Sequence, residues 1–276
     1  MNENGPRQHN PAPLGSVEPH APLLTVPPDG QLLYKIMSIE NLLRSIVGNY
    51  LHFNRVDSYA DLAGADPHDG RQLPKDLPGN SSARFEKHPD FSAADYYDQS
   101  RDRTYACCFS LENSDFIWNN YANGSAKGKV CVVFSFGRLR TTLNQTLQPG
   151  NAALEYNGNR CHQIFDLNYG LVEYVEWDTH QANTAHLPNP IKYTYWKDKK
   201  FSKEKELRIS LSALGIGQFA LKDGSTMQFP SSLQMAFDFR AAIADCTIQQ
   251  ILYASGSDTD FLQAELHKLC IVASKG

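Results

Sequence analysis

The chain has 276 residues, 41% of them hydrophobic, and a formal net charge of −4 at pH 7. This length suffices for one large domain or two small ones with a real core, and the mildly acidic balance argues against a broad nucleic-acid-binding surface. No apolar run approaches the roughly 20 residues of a membrane helix, and the N-terminus lacks the pattern of a secretory signal. We therefore expect no membrane association and a cytoplasmic protein, or one delivered into a target cell without a cleaved signal.

Cysteine and histidine usage does not indicate a metal site. None of the six cysteines belongs to a CxxC pair, and the nine histidines include no HExxH motif. Thiols in apolar strand-like runs of a cytoplasmic protein are expected to stay buried and reduced. Because the zinc-ligand spacing is absent, we predict no bound metal. A local cluster of Asp66, His68 and Asp69 lies in a segment that we expect to be flexible.

The N-terminal part predicts a tail and then a strand, a helix and a second strand. Residues 1–29 are rich in Pro, Asn, Gly and His without apolar periodicity, which is typical of a flexible tail. We assign residues 30–276 to a single domain. Its first strand covers residues 32–37, Ser38 caps the helix that follows, and residues 50–54 form the next strand.

The next stretch, residues 57–103, is polar and carries much of the Gly, Pro and Asp. Its one helical candidate lies at about residues 92–100. A polar stretch of this length inside a compact domain is usually functional or partly disordered. We therefore predict a long polar loop that is available to a partner.

The most regular unit covers residues 105–136. An apolar, β-prone run over residues 105–110 predicts a buried strand, and residues 129–136 predict another. Between them lies a short helix on which Trp118 and Tyr121, three residues apart, share a face.

The rest of the chain adds strands and short helices in mixed order. Strands are predicted at residues 161–164, 170–177, 205–211, 248–254 and 270–273 and within 227–236, and helices at 138–147 and 258–269. Many strands with few long helices predict an α+β fold of mixed, largely antiparallel sheets with short helices, rather than a doubly wound parallel sheet.

The most suggestive polar group consists of Glu204, Glu206 and Arg208. If this segment is extended, alternation places the three side chains on one side of a strand, while Leu207 and Ile209 face a core. A carboxylate at a rigid strand end is suited to stabilise a developing cation. The alternative is an exposed strand face with a surface ion pair, which contributes little to stability.

Two further groups are candidates for ligand contacts. Tyr34 and Lys35 form a polar pair at the head of an apolar strand, although a lysine there also fits a strand edge with its ammonium in solvent. Phe109 and Ser110 end the middle strand. Since Ser110 has no neighbouring His, we predict ligand hydrogen bonding or helix capping for it rather than nucleophilic attack. The Trp and Tyr of the short helix offer aromatic surface, or belong to the core.

Several of these pieces, in this order, resemble the bacterial domain-of-unknown-function family DUF2971. Together they span about residues 32–273. The pieces are Leu33-Tyr34-Lys35, Leu51-His52-Phe53, Cys108-Phe109-Ser110, Trp118-Asn119-Asn120-Tyr121-Ala122, Gly128-Lys129-Val130-Cys131-Val132-Val133-Phe134, Val172-Glu173-Tyr174, Glu204-Lys205-Glu206-Leu207-Arg208 and Ile248-Gln249-Gln250-Ile251-Leu252-Tyr253.

The layout also resembles the ADP-ribosyltransferase fold, including its DNA-modifying toxin branch. In that fold a first strand bears His or Arg, a middle strand ends in a Ser or aromatic motif, and a late strand carries the catalytic Glu. The resemblance implies catalytic roles for Glu206 and Glu204, with Lys35 in place of the usual His or Arg. It also implies that NAD is the substrate, bound by Tyr34, Lys35, Phe109, Ser110, Trp118, Tyr121 and Arg208.

The first hypothesis is therefore an NAD-dependent ADP-ribosyltransferase that acts as a toxin, effector or defence factor on an unknown protein or nucleic-acid acceptor. Glu206 would hold the ribose and stabilise the oxocarbenium-like cation, while Glu204 orients the acceptor nucleophile. The alternative is a non-catalytic ligand- or partner-binding domain of a bacterial defence or regulatory system, with its partner at residues 57–103. A third option is a nuclease or metal hydrolase that uses Asp57, Asp61 and Glu206.

Overall fold

The computed structural model describes residues 16–61, 65–146, 154–161, 165–182, 189–214, 218–221 and 223–269. The strands are β1 (Leu32–Ser38), β2 (Tyr50–Arg55), β3 (Arg84–Phe85), β4 (His88–Ser92), β5 (Thr104–Ser110), β6 (Lys129–Ser135), β7 (Leu154–Tyr156), β8 (Asn159–Arg160), β9 (Phe165–Leu171), β10 (Glu173–Val175), β11 (Trp196–Asp198), β12 (Glu206–Ala213), β13 (Phe219–Ala220), β14 (Thr226–Met227), β15 (Ser232–Ala236) and β16 (Ile248–Tyr253).

The helices are mostly short. They are α1 (Ile39–Gly48), α2 (Leu77–Ser82), α3 (Ala93–Arg101), α4 (Asp115–Asn120), α5 (Phe136–Thr146), α6 (Ile191–Thr194), α7 (Phe239–Ala244) and α8 (Thr259–Lys268), with 3-10 turns at Ala21–Leu23, Val56–Asp61 and Lys199–Glu204. Within the residues that the structure describes, no helix has the length and apolar character needed to cross a bilayer.

Among the described residues, ten strands form the main sheet, and all pairings between these strands are antiparallel. Eight of them follow the order β16-β6-β1-β5-β2-β15-β7-β8. Strand β12 pairs with β5 along its whole length and with β9 on its other side. Because β12 fills one edge of β5, β1 and β2 share the opposite edge, β1 at Ser110 and β2 at Tyr105 and Ala106. The predicted α+β fold with largely antiparallel sheets is confirmed.

Alternation along β12 separates two faces of this sheet. Leu207, Ile209 and Leu211 belong to the main hydrophobic core, to which α1, α5, α7 and α8 contribute. Glu206 and Arg208 project to the other face, because side chains of a strand alternate. Both sets are buried, so the second face is covered by protein as well.

The cover of the second face comes from two separate parts of the chain. Residues 65–101, which include α2 and α3, contribute Leu73 and Tyr97 to a smaller core. The parallel pair β10–β11 and its neighbours contribute Trp177, Tyr193 and Trp196 to the same core. The polar face of β12 therefore lies between the main sheet and a thin second layer.

Most predicted elements occur within one or two residues of their expected bounds. The Ser38 side chain accepts a hydrogen bond from the Asn41 amide and begins α1. Ser92 and Asp95 form a capping box at the start of α3. The predicted strand at 170–177 is divided, because β9 pairs with β12 up to Leu171 while β10 pairs with β11. The strand expected at 270–273 and most of that expected at 161–164 lie outside the described residues.

Two segments differ from the sequence-based expectation of flexibility. Residues 57–103 contain α2, β3, β4 and α3 and carry buried polar side chains, so the described part of this segment is a folded layer rather than a loop. Residues 16–29 lie along β9, where the Glu18 amide donates to Leu167 O at 2.7 Å. The Glu18 carboxylate also forms a salt bridge with Arg140 of α5, which fixes residues 16–29 to the domain. Residues 1–15 lie outside the described part of the chain.

Candidate functional site

Three positions named by the fold resemblance lie in one row across neighbouring strands. Ser110 of β5 is paired with Tyr34 of β1 and with Glu206 of β12. Side chains of directly paired residues in antiparallel strands project to the same face. Tyr34, Ser110 and Glu206 therefore share the polar face of the sheet, at the end where β12 begins.

The start of β12 is shaped by a left-handed residue. Lys205 has a φ of 48° and separates the 3-10 turn that ends at Glu204 from the extended chain. The Ser110 hydroxyl donates to Glu204 O at 2.8 Å and accepts from the Glu112 amide at 3.2 Å. Ser110 thus fixes the backbone at Glu204, so its hydroxyl has a local structural role.

The ammonium of Lys197 in β11 lies between the two glutamates. Its Nζ is 2.5 Å from Glu204 Oε2 and 3.1 Å from Glu206 Oε2. Asp69 Oδ2 is 3.9 Å away, too far for a hydrogen bond but close enough for a strong charge interaction. One cation thereby joins the 3-10 turn, the first residue of β12 and the covering segment.

Arg208 joins the same groups from the sheet side. Its Nε donates to Glu206 Oε1 at 2.8 Å, and its two terminal nitrogens donate to Asp69 at 2.6 and 3.1 Å. A further hydrogen bond reaches Thr194 O at 2.7 Å. The planar guanidinium is suited to hold two carboxylates in such fixed geometry.

These five residues form a charge cluster, a name kept below for Asp69, Lys197, Glu204, Glu206 and Arg208. Each is at most 6% exposed. With every group ionised, the three carboxylates exceed the two cations by one negative charge. A buried site with one surplus negative charge favours either a bound proton or a positive charge on a ligand.

The two glutamates have pKa values that are shifted in opposite directions. Burial raises the pKa of Glu204, and the neighbouring Glu206 charge adds to this rise, while Lys197 counteracts it only in part. Burial also opposes ionisation of Glu206, but the charges of Arg208 and Lys197 hold the pKa of Glu206 well below its usual range. Glu206 contacts both cations, whereas Glu204 contacts only Lys197 among the described ion pairs, so Glu204 is the glutamate that binds a proton more readily as pH falls.

Hydroxyl and thiol groups surround the charge cluster. Tyr174 Oη accepts a hydrogen bond from the Glu206 amide at 2.9 Å, and the Tyr121 hydroxyl contacts the Glu204 carboxylate. The Cys108 thiol contacts Glu206 and lies 3.3 Å from the Tyr59 hydroxyl. Burial raises the pKa of the Cys108 thiol, so this cysteine is not an activated nucleophile. Tyr121 is 39% exposed and connects Glu204 with the surface.

Two predicted ligand-binding residues lie on the wrong face of the sheet. Lys35 projects to the main core, where its Nζ donates to Cys108 O at 3.1 Å and lies 5.0 Å from the centroid of the Phe109 ring. Phe109 packs against Phe134 at 5.5 Å between ring centroids. Both follow from alternation, since each is one residue from a position in the Tyr34–Ser110–Glu206 row.

The predicted pairing of Trp118 with Tyr121 on one helix face is also wrong. Helix α4 ends at Asn120, and Tyr121 is extended, with φ −111° and ψ 154°. Trp118 Nε1 donates to Asn113 Oδ1 at 2.7 Å, whereas Tyr121 contacts Glu204. The structure therefore brings Tyr121, but not Trp118, to the charge cluster.

Sequence reasoning missed Lys197 and undervalued Asp69. Lys197 follows an aromatic run ending in Trp196, and a lysine in such surroundings was the available signal for a buried cation. Asp69 was singled out with His68, but in the structure His68 stacks on Trp177 at 5.1 Å and only Asp69 reaches Arg208.

The proposed grouping of Asp57 with Glu206 is not formed. Asp57 pairs with Arg55 at 2.6 Å, while Glu206 pairs with Arg208 and Lys197. The side chain of Asp61 lies outside the described residues. Within the described ranges, no group of three or more His, Cys, Asp or Glu residues is arranged to hold a metal ion.

Comparison with known proteins gives a family without an assigned activity. The family described as "Protein of unknown function (DUF2971)" matches residues 117–209. This range supports the resemblance to DUF2971, and it contains Lys197, Glu204, Glu206 and Arg208 but not Asp69 or Ser110. No curated protein and no solved structure matches the chain.

Proposed function

We propose that the charge cluster is the catalytic centre of an NAD-dependent ADP-ribosyltransferase that modifies a protein or nucleic-acid acceptor. The observation that carries the proposal is the row formed by Tyr34, Ser110 and Glu206 on adjacent strands. These are the three strand positions at which the ADP-ribosyltransferase layout expects its functional residues. Such an enzyme acts as a toxin, effector or defence factor, either in the cytoplasm where it is made or after delivery into a target cell.

Glu206 is suited to stabilise positive charge on a ribose. Cleavage of the nicotinamide–ribose bond develops an oxocarbenium-like cation, which a preorganised carboxylate stabilises. Arg208 and Lys197 keep Glu206 ionised and fix both of its oxygens. The surplus negative charge of the charge cluster favours the same cation.

Glu204 is suited to exchange a proton with the acceptor. Two carboxylates whose environments push their pKa values apart are a common arrangement for dividing acid–base roles. Glu204 is the member with the raised pKa, and its contact with the partly exposed Tyr121 points towards solvent. In this assignment Glu204 accepts the proton of the acceptor nucleophile as that nucleophile attacks the ribose.

NAD contacts are assigned to the aromatic residues on the polar face. Tyr34 lies in the same row as Glu206, and Tyr121 touches Glu204, so either ring is placed to stack on the nicotinamide. Lys35, Phe109 and Trp118 are removed from the assignment because they do not face the charge cluster. Asp69 brings the segment 57–103 into the wall of the site, so movement of this segment would control access.

The proposal is tested by incubating the purified protein with NAD and measuring nicotinamide release. We expect release by the wild type, a loss of at least about 100-fold in Glu206→Gln, and retained NAD binding in that variant. Glu176→Gln is the matched control, because Glu176 is 65% exposed and pairs with Lys199 outside the charge cluster. Release that persists in Glu206→Gln, or no release by a folded wild type, contradicts the proposal.

A second candidate function is a non-catalytic domain that binds a partner in a defence or regulatory system. The observation in its favour is that every member of the charge cluster already has a partner within the chain and is at most 6% exposed, as in a structural ion network. This function predicts no NAD turnover and protection of residues 57–103 from limited proteolysis when the partner binds. If residues 57–103 are cleaved equally fast with and without lysate fractions that contain proteins bound to this chain, the binding function is contradicted.

A further inference from the structure

Within the part of the chain that the structure describes, Lys197 is the only cation that contacts both glutamates. Its three N–H donors supply one hydrogen bond to Glu204 at 2.5 Å and one to Glu206 at 3.1 Å. Arg208 contacts Glu206 but not Glu204 among the described contacts, and Tyr121 contacts Glu204. The ionised form of Glu204 therefore depends on Lys197 more than that of Glu206, which also contacts Arg208.

We propose that Lys197 is a positioning residue that holds Glu204 and Glu206 together and keeps one of them ionised while the other exchanges a proton. Its catalytic consequence rests on the proposed function, whereas its electrostatic role is a property of the charge cluster itself. Nothing in the sequence pattern or the family match assigns a role to this lysine.

The surroundings of Lys197 determine how the charge cluster responds when the ammonium is removed. Among the described residues, the titratable and charged groups that face it or its two glutamates are Asp69, Cys108, Tyr121, Tyr174, Glu204, Glu206 and Arg208. Lys197→Met removes one positive charge at similar length, so the fully ionised charge cluster changes from −1 to −2. Because Glu206 keeps Arg208, Glu204 is the carboxylate that takes up a proton, and it does so at a higher pH than in the wild type.

Carboxyl NMR on protein labelled with 13C at the Glu side chains tests this role without any substrate. Signals are assigned with Glu204→Gln and Glu206→Gln. In Lys197→Met we expect the midpoint of the Glu204 titration to rise by at least about one pH unit relative to wild type. Lys199→Met is the control, since Lys199 lies two residues away and is 64% exposed. An unchanged Glu204 titration overturns the proposal.

If Lys197→Met does not fold, the double variant Lys197→Met/Glu204→Gln decides the question. It removes one cation and one carboxylate, so the formal charge of the charge cluster returns to −1. We expect it to fold at pH 8 and to show a cooperative melting transition, because the charge of the wild-type cluster is restored. A double variant that is also unfolded at pH 8 overturns the proposal.

Nicotinamide release as a function of pH tests the catalytic consequence. In Lys197→Met we expect a release rate at pH 7 at least about 10-fold below wild type. The acid limb also moves to higher pH, and Lys197→Arg restores the profile in part because it keeps the charge. A profile in Lys197→Met identical to wild type overturns the positioning role. If the wild type releases no nicotinamide, the proposed function fails while the NMR result still decides the role of Lys197.

Discussion

The two faces of β12 are equally buried but stabilised in different ways. Leu207 and Ile209 are 0% exposed in the main core, and Glu206 and Arg208 are 5% and 1% exposed on the opposite face. Burial of the apolar pair is favourable by itself, at about 25 cal/mol per Å² of apolar surface. Burial of the charged pair is unfavourable unless each group keeps hydrogen bonds and an opposite charge.

The comparison shows that the polar face is not explained by stability alone. Replacing buried ion networks by well-packed hydrophobic residues is often neutral or stabilising by about 1–4 kcal/mol. A network that retains one uncompensated carboxylate is a still poorer source of stability. The presence of Glu204 beside Lys197 and Glu206 is therefore not accounted for by stability, which is consistent with the proposed catalytic role.

The largest effect is expected when Arg208 loses its charge. Arg208→Met leaves Asp69 and Glu206 without their main cation, which we expect to lower the free energy of unfolding by about 3–5 kcal/mol. Urea denaturation at pH 7 measures the change. Arg84→Met is the control because Arg84 is exposed and bonds only backbone carbonyls among its described contacts. A loss below about 1 kcal/mol would mean that the network is not held as described.

Opposite pH dependences are expected for the two glutamates. The pKa of Glu206 is lowered by folding, so its contribution to stability is present above its unfolded pKa and is lost as pH falls through the folded value. Glu206→Gln should therefore cost about 2 kcal/mol near pH 7 and progressively less in acid.

The pKa of Glu204 is raised by folding, so its contribution is present below its unfolded pKa and is lost as pH rises through the folded value. Glu204→Gln should gain stability relative to wild type as pH rises. Denaturation of both variants between pH 2 and 9 measures how the stability difference from wild type changes with pH. If the stability of both variants relative to wild type changed with pH in the same direction, the opposite pKa shifts of Glu204 and Glu206 would be contradicted.

A smaller loss in the free energy of unfolding is expected from Gly170→Ala in β9, where Gly170 pairs with Arg208 of β12. A Cβ at this position would lie 2.6 Å from Tyr195 Cε1, and the Tyr195 hydroxyl bonds Arg208 O at 3.3 Å. Overpacking should cost about 1–3 kcal/mol in thermal or urea denaturation. Gly79→Ala is the control, since nothing lies within 4 Å of its added methyl group. An unchanged melting temperature for Gly170→Ala would contradict the close packing behind the polar face.

The smallest effect is expected on the apolar face of the same strand. Ile209→Val removes one methylene from a fully buried side chain, which should cost about 0.5–1.5 kcal/mol. Because no titratable group is involved, the cost should be constant between pH 4 and 9. A pH-dependent cost would show that the two faces are coupled.

Local pattern predicted β1, β2, β5, β6, β12 and β16 and the two faces of β12, but not the short strands β3, β4, β7, β8 and β11. Alternation placed Glu206 and Arg208 opposite Leu207 and Ile209, and the structure agrees. It did not predict that the polar face is buried, because its cover comes from distant residues. Asp69 lies 139 positions from Arg208, and a contact between residues so far apart in sequence cannot be predicted from local periodicity.

The same limit applies to Glu204 and Lys197. Extended geometry predicted that Glu204 would share a strand face with Glu206. In the structure, Glu204 instead ends a 3-10 turn, and the left-handed Lys205 separates this turn from β12. Their carboxylates still meet, through the Lys197 ammonium of a different strand. The fold class therefore followed from periodicity, whereas the composition of the charge cluster depended on tertiary contacts.

The most direct test of the central claim is a titration of NAD into the wild-type protein, followed by 13C NMR of the Glu side-chain carboxyls. We predict saturable shifts of the Glu204 and Glu206 signals, with the exposed Glu176 signal unchanged. Binding of NAD without any movement of these two signals, or no binding by the folded protein, would contradict the claim that the polar face of β12 is the site of NAD chemistry.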